Sequence, residues 1–464
     1  MRLLRHHIHS QFLVLVLAEF VVFLAAPFVA AAIRFADDIP RLKAAISSLW
    51  PTAMIFSLVM WLAMLAMGLY APRQRARSLG IVLRIVLAAA GAFFVCAALF
   101  YMLPSFVVGR GVLGLAAGLA GIGAIVLYLL LDRHFAEELL KRRVLVYGSG
   151  RRAMPIRRLR RRSDQRGFTI VGFVRSAGDE PIDDLDRLVD PEPDLYSYCI
   201  KNRVDEIAVA MDDRRRDFPV VELLHCKIHG IEVVDLVDFL EREAGCIQLD
   251  VMNPGWMIFS GGFQSTIASR ATTRIFDICA SSAVLLLTWP LMLVAALAIK
   301  FEEGWSAPVT YSQMRVGKNG NLFRVHKFRS MRVDAEGDGK AQWAAKNDPR
   351  VTRVGAVIRK MRIDELPQII NVLRGDMSFV GPRPERPEFV SQLERSIPYY
   401  RERHSVRPGL TGWAQLCYPY GSSEQDAAEK LKYDLFYIKN RGFLFNLMIL
   451  LQTIEVIAVG KGAR

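Results

Sequence analysis

The stretch "MRIDELPQIINVLRGDMSFVGPRPE", residues 361–385, brings together the residue types that phosphate chemistry requires. Asp364 and Glu365 stand side by side, directly before Leu366-Pro367. That dipeptide is a natural helix opening, because proline tolerates the first helical position, where its missing N–H is not needed. The acidic pair is therefore expected near the positive end of a helix. Gly375 stops the helix, and "VGPRP" returns Arg383, fixed between Pro382 and Pro384, as a rigid cationic loop. Carboxylates, a helix N-terminus and a fixed guanidinium suit a phosphate-handling site. Taken alone, an Asp-Glu pair at a helix start is most often a cap.

Those side chains need a scaffold, and composition says what kind. At 464 residues the chain has room for two or three domains, and 52% apolar residues is high for a soluble protein, so a membrane component is expected. Sixty Lys and Arg against 46 Asp and Glu give +14, which suits anionic lipid headgroups and anionic substrates; no nucleic-acid partner is expected. The six cysteines are scattered without the paired spacings of a zinc or redox motif and read as reduced, packed thiols. The cationic start "MRLLRHHIHS" leads into an apolar run without a clear cleavage site, as a retained first span would.

Hydrophobic stretches at about 12–33, 47–70, 79–103 and 111–131 each approach the ~20 residues that cross a bilayer, and define a four-span transmembrane domain over residues 1–142. Arg2 and Arg5 precede the first span, Arg73, Arg75 and Arg77 separate the second and third, and Lys141, Arg142 and Arg143 follow the fourth. By the positive-inside rule both ends of this domain face the cytoplasm, although Arg34, Arg41 and Lys43 in the first outer loop run against the rule. Glu19 and Arg84 are the main ionisable residues in the spans, too few for a channel or transporter.

From about residue 143 to 268 short β-branched runs alternate with polar helical stretches, as in "RRVLVYGSG", "GFTIVGFVRS" and "VDEIAVAMDD", the pattern of a Rossmann-like cytoplasmic α/β domain. "GSGRRA" has G-x-G-x-x-A spacing, and backbone amides there could hold a pyrophosphate. The second strand, however, ends at Val174-Arg175, without the acidic residue that takes a ribose hydroxyl, which favours a structural or assembly domain.

A fifth hydrophobic run, residues 274–300, is long enough to cross, but Arg270 and Arg274 precede it and Lys300, Arg315, Lys318 and Arg324 follow it. Both flanks ask for the cytoplasm. Pro290 removes a backbone N–H near the middle, so a re-entrant hairpin that enters and leaves on one face is expected, against the alternative of an ordinary kinked span. The last run, residues 443–459, contains Asn446, Gln452 and Glu455 and reads as an interfacial helix.

The blocks "YSQMRVGKNGNLFRVHKFRSM", "DPRVTRVGAVIRKMRIDELPQIINVLRGDMSFVGPRPE", "RPGLTGWAQ" and "LKYDLFYIKN" resemble, in order and spacing, the monotopic phosphoglycosyl transferases, bacterial sugar transferases. The resemblance covers about residues 270–464, and with the preceding domains it is to the long, exopolysaccharide-associated forms. It implies a membrane protein of α plus α/β class with a mainly helical catalytic domain at 269–464, in the bacterial inner membrane, catalytic domain in the cytoplasm and a homodimer by analogy.

The resemblance also implies a chemistry. Asp364 would attack the sugar-bearing phosphorus of a UDP-sugar, expel UMP and form a covalent phosphosugar ester. Undecaprenyl phosphate would then take the sugar phosphate. Glu365 matches the family position that helps hold Mg²⁺, Arg383 and Arg359 match phosphate contacts, and Lys327 matches a basic site residue. Arg329 and Arg315 are second-tier candidates, Arg329 with the alternative of a lipid-facing basic patch. His326 and His404 are assigned no part, and Trp413, which could stack on a base or lie at the membrane interface, stands in a Gly-rich setting that says turn and not role.

This chain departs from the family at two points. Thr288-Trp289-Pro290 stands where Ser-Pro is usual, and "LCYPYGSS" follows "TGWAQ" where many small members have an Asn-Gly-Arg-Asn turn, which leaves the sugar open. UDP-glucose or UDP-galactose is the expected donor. A UDP-N-acetylhexosamine donor and a non-catalytic membrane scaffold or nucleotide sensor are the alternatives.

Overall fold

Alanine-rich faces spaced three and four residues apart draw four long helices together at the start of the chain. In the computed structural model the described residues are 2–3, 6–7, 10–67, 69, 78–102, 109–134, 141–158, 168–180, 187–215, 217–252, 254–263, 266–332, 349–418, 421 and 423–458. They divide into two units, Met1–Phe239 and Leu240–Arg464.

In the first unit a short antiparallel pair, β1 (Arg2–Leu3) and β2 (His6–His7), precedes α1 (Ser10–Arg34), α2 (Ile39–Ala66), α3 (Ser78–Met102) and α4 (Arg110–His134). Helices α1 and α3 each pack against both α2 and α4, which closes a ring. Ala26, Ala30, Ala53, Ala92, Ala116 and Ala120 are buried inside it, together with Phe23, Phe56 and Met60. Large apolar side chains point the other way: Val21, Met54, Leu58, Phe94 and Ile122 are exposed. A small-residue interior with an apolar exterior is suited to hydrocarbon surroundings. Among the described residues, parts of α1, α3 and α4 are long and apolar enough to cross a membrane, as is α10 below, while the apolar part of α2 is shorter, Leu49–Leu65. Glu19 and Arg84 are both buried. Arg5, Arg73, Arg75 and Arg77, used above to orient the spans, lie outside the described residues.

The same unit holds a five-stranded parallel sheet in the order β5-β4-β3-β6-β7, made of β3 (Arg142–Tyr147), β4 (Phe168–Val174), β5 (Leu188–Val189), β6 (Glu206–Val209) and β7 (Glu232–Asp235). Helices α5 (Met154–Arg158), α6 (Leu195–Lys201) and α7 (Val220–Ile228) lie in the connections. The central strands are buried on both faces, as at Val144, Leu145 and Val146, which is why they read as continuous apolar runs. Strand order reverses at β3, the place where open α/β sheets take ligands. There the glycine loop is filled by the chain itself. Asp212 accepts the backbone N–H groups of Arg151 (2.9 Å) and Arg152 (2.7 Å), and Asp179 accepts that of Ser149 (2.7 Å). A Cβ at Gly150 would lie 1.9 Å from Asp212 Oδ2, so glycine is required there for the approach of a carboxylate.

Helix α8 (Leu236–Ala244) leads into the second unit, which contains α9 (Pro254–Phe259), the 37-residue α10 (Ile267–Glu303), the antiparallel hairpin β8 (Thr310–Val316) and β9 (Leu322–Phe328), α11 (Arg353–Lys360), α12 (Ile369–Arg374), β10 (Ser378–Val380), α13 (Pro387–Ser396), β11 (Gly409–Thr411), α14 (Trp413–Cys417), α15 (Glu424–Asn440) and α16 (Phe443–Ala458). Strands β10 and β11 pair in parallel. The core gathers Val372, Met377, Phe379, Leu431, Leu435 and Ile449, and it includes Ile247 and Met252, residues expected above in the α/β domain.

Helix α10 is buried near its two ends, at Phe276, Asp277 and Ser281 and again at Ala295 and Ile299. Between them Leu286 (73% exposed), Leu287 (78%) and Trp289 (56%) stand free. The helix is continuous through Pro290, and the Thr288 hydroxyl donates to the Val284 carbonyl at 2.7 Å. Both ends are tied down within this unit. Arg274 caps α12 by donating to the carbonyls of Val372 and Leu373, each at 2.6 Å. Glu302 accepts the first N–H groups of α11, from Arg353 (2.8 Å) and Val354 (3.0 Å).

Candidate active site

Amphipathic α11 ends at Met361, and Arg362 turns the chain through a left-handed conformation (φ 59°) into a 3₁₀ turn, Ile363–Gln368. Asp364 and Glu365 lie inside that turn, not directly before an α-helix as the sequence suggested. Pro367 lies inside the turn, and α12 begins only at Ile369. Gly375, at φ 96°, ends α12 as expected for a left-handed cap.

Two neighbouring carboxylates thus acquire different surroundings. Glu365 Oε1 accepts from Arg383 Nη2 (2.7 Å) and Lys327 Nζ (3.0 Å), with Arg362 Nη1 at 3.8 Å. Burial works against its ionisation, but Arg383, Lys327 and Arg362 outweigh it and hold the carboxyl well below the usual range. Asp364 is buried, and its Oδ1 has no hydrogen-bond partner. Burial, then the adjacent Glu365 charge, pushes its carboxyl up, against the pull of Lys327, Arg362 and Arg359. Burial also lowers the Lys327 ammonium, partly offset by Glu365. A pair whose environments push the two groups apart marks distinct roles: Glu365 is a fixed, compensated anion, and Asp364 is a poorly solvated carboxylate with a lone pair to use.

Lys327 reaches the pair from β9, opposite Tyr311 of β8. Asn371 sets that strand against α12, accepting the His326 N–H (3.2 Å) and donating to the Arg324 carbonyl (2.8 Å). Arg383 reaches Glu365 from the loop after β10. Of the residues singled out above, the fold brings Asp364, Glu365, Lys327 and Arg383 together, with Arg359 near enough to influence Asp364. Arg315 is turned to the Pro384 carbonyl (3.2 Å) and Gln313 (2.6 Å), and Arg329 to the Pro308 carbonyl (3.0 Å). Trp413 donates to the Gly245 carbonyl at 2.8 Å and packs among Phe436 and Phe445. Residues 419, 420 and 422 of the "LCYPYGSS" departure lie outside the described residues.

Arg362 escaped sequence reasoning although it stands two residues before Asp364, because its reach depends on the left-handed turn. Asp277, buried in α10, accepts from Ser378 Oγ and from the Phe379 N–H (both 2.8 Å) and so fixes the strand that launches the Arg383 loop. An acid inside an apolar run was the signal available for it.

Among the described residues no group of three or more His, Cys, Asp or Glu could hold a metal. Mg²⁺ asks for less, one or two carboxylates with phosphate oxygens and water, and the orphaned Asp364 Oδ1 beside Glu365 fits that all-oxygen donor set.

A model of the bacterial sugar transferase family matches residues 268–460. The chain is 43% identical over 287 residues to a UDP-N-acetylgalactosamine-undecaprenyl-phosphate N-acetylgalactosaminephosphotransferase of Aeromonas hydrophila, covering 59% of this chain and 66% of that one. It is 33% identical over 323 residues to a UDP-glucose:undecaprenyl-phosphate glucose-1-phosphate transferase of Xanthomonas campestris pv. campestris, covering 67% and 65%. In both, slightly less than two thirds of the relative is spanned. With the exopolysaccharide production protein PSS of Rhizobium leguminosarum bv. phaseoli the identity is 40% over 196 residues, 41% of this chain and 96% of that one. Given the family match and a likeness over nearly the whole of the Rhizobium protein, the chain belongs to the bacterial sugar transferase family.

Proposed function

We propose that the protein transfers a sugar 1-phosphate from a UDP-sugar to undecaprenyl phosphate in the bacterial cytoplasmic membrane, through a covalent intermediate on Asp364, as the first step of exopolysaccharide assembly. The observation that carries this reading is the contrast within one dipeptide: a buried Asp364 with an unpartnered oxygen next to a Glu365 held by Arg383 and Lys327. An Asp364 oxygen attacks the sugar-bearing phosphorus, and the bond to UMP breaks with its electron pair leaving on UMP. A phosphate oxygen of the lipid then attacks the same phosphorus and returns the carboxylate.

Charge placed in advance where the diphosphate sits lowers the barrier to attack by an anion on an anion. Arg383 and Lys327, which converge on Glu365 beside Asp364, supply that charge. Glu365, with Asp364 beside it, would hold Mg²⁺, which supplies further charge neutralisation when bound.

The attachment of both ends of α10 to elements around the site, through Arg274 and Asp277 at one end and Glu302 at the other, supports a re-entrant wedge with Pro290 at its exposed middle. The ring of α1–α4 supports a four-span domain, and the strand order supports a Rossmann-like α/β domain.

UDP-glucose or UDP-galactose is one donor reading. A UDP-N-acetylhexosamine is the second, favoured by the 43% identity to the Aeromonas protein. Intact-mass spectrometry of the purified protein after exposure to individual UDP-sugars tests both the chemistry and the donor. A sugar-phosphate adduct is expected, absent in Asp364→Asn; its mass separates a hexose from an N-acetylhexosamine, and the individual UDP-sugar that yields it identifies the donor. Wild-type UMP release by Asp364→Asn overturns the assignment.

A further inference from the structure

The loop that presents Arg383 is held by its acceptors. Prolines at 382 and 384 have no N–H to give. Four consecutive carbonyls are each taken by a separate donor: Pro382 by the Gly409 N–H (2.9 Å), Arg383 by Arg403 Nη2 (3.0 Å), Pro384 by Arg315 Nη1 (3.2 Å) and Glu385 by the Val316 N–H (3.0 Å). Among these donors Arg403 is a buried charged side chain, only 6% exposed, and its charge is met by Asp434 at 2.9 Å, itself 3% exposed. Its Nη1 donates to the Tyr400 hydroxyl at 2.6 Å. One planar guanidinium therefore joins the 3₁₀ turn Tyr400–Ser405, α15 and the backbone of Arg383.

We propose that Arg403 is a positioning residue for the transfer: through the Arg383 carbonyl it fixes where the Arg383 guanidinium meets the donor's phosphates. A fork that satisfies three acceptors at set angles does this in a way that a lysine of the same charge cannot. The proposal rests on the reading of Arg383 as a phosphate contact.

The test is a double-mutant cycle on kcat/KM for UMP release from the donor that forms the adduct, using wild type, Arg403→Lys, Arg383→Ala and the double variant. Lysine keeps the charge opposite Asp434, and the pair Arg403→Gln with Asp434→Asn, which removes both buried charges, serves where Arg403→Lys does not fold. In the wild-type background Arg403→Lys is expected to lose on the order of 10- to 100-fold, as small misplacements of binding groups do. In the Arg383→Ala background the same change is expected to cost less than about threefold, because the group it positions is gone. Where turnover of Arg383→Ala falls below detection, stabilisation of the four proteins by UDP in thermal unfolding is read by the same rule. Equal losses in both backgrounds, or no loss in either, overturn the proposal. Adduct formation on wild-type Asp364 tests the reaction itself, so failure there is told apart from failure of the cycle.

Discussion

Asp277 and Phe379 are 102 residues apart in the chain, and the carboxylate of the first accepts the backbone N–H of the second at 2.8 Å. Asp277 also holds the Ser378 hydroxyl, and Arg274, three residues earlier and so on the same helical face, caps α12. The start of α10 is thereby fixed to the strand and helix on either side of the Gly375 turn.

Asp277→Ala leaves a buried N–H and a buried hydroxyl without acceptors, at a cost of about 2–4 kcal/mol. Asp277→Asn keeps one oxygen acceptor and is expected to cost less. Thermal unfolding of the detergent-solubilised proteins measures both. An alanine variant as stable as wild type would remove Asp277 as an anchor.

On the proposed mechanism attack requires ionised Asp364, whose carboxyl burial and Glu365 hold above its ordinary range. The acid limb of the pH profile for UMP release is expected above the usual aspartate value. Glu365→Gln removes the neighbouring negative charge and frees Lys327 and Arg383 to face Asp364, so the limb moves to lower pH even as the rate falls. A limb that stays in place or rises would show that Asp364 is not the group being titrated.

In the α/β sheet the glycine loop donates to Asp212 and Asp179. Asp212→Ala removes the acceptor for the Arg151 and Arg152 N–H groups and is expected to speed hydrogen exchange across residues 149–153 and to expose an anion cradle. Pyrophosphate should then slow that exchange in the variant and leave wild type unchanged. Equal protection of wild type by pyrophosphate would mean that the carboxylates yield to a ligand.

Much of this was legible in the chain. Apolar runs marked the long helices, β-branched runs the strands, and the blocks around Asp364 and Arg383 the residues that the fold gathers in the candidate site. What the sequence could not convey depends on contacts between distant residues. Asp277 meets Phe379, Arg403 meets the Arg383 backbone, and Asp212 meets the glycine loop only after folding. The start of α12 was misjudged because Leu366-Pro367 fits a 3₁₀ turn as well as the first turn of an α-helix. Arg315 and Arg329 donate to the carbonyls of Pro384 and Pro308, contacts that residue type and spacing alone do not reveal.

His404 lies beside the Arg403 clamp, nearly buried, and burial, Arg403 and Arg401 bring its pKa down from 6.5 to about 4. Glu394 faces it at 3.7 Å and the Tyr400 ring at 6.2 Å, neither enough to restore the charged form. The unfolded chain takes up this proton near pH 6.5 and the folded one only near 4, so the stabilising contribution is complete above 6.5 and is lost as pH falls toward 4. The full span amounts to about 3 kcal/mol, of which about 2 kcal/mol falls between pH 6.5 and 5, above the range where most carboxylates titrate. His404→Gln, uncharged throughout, is expected to flatten the fall in melting temperature over that window. Parallel slopes for the two proteins would show that His404 is protonated in the fold, with Glu394 stabilising it, and that the positive charge of Arg403 does not reach the imidazole.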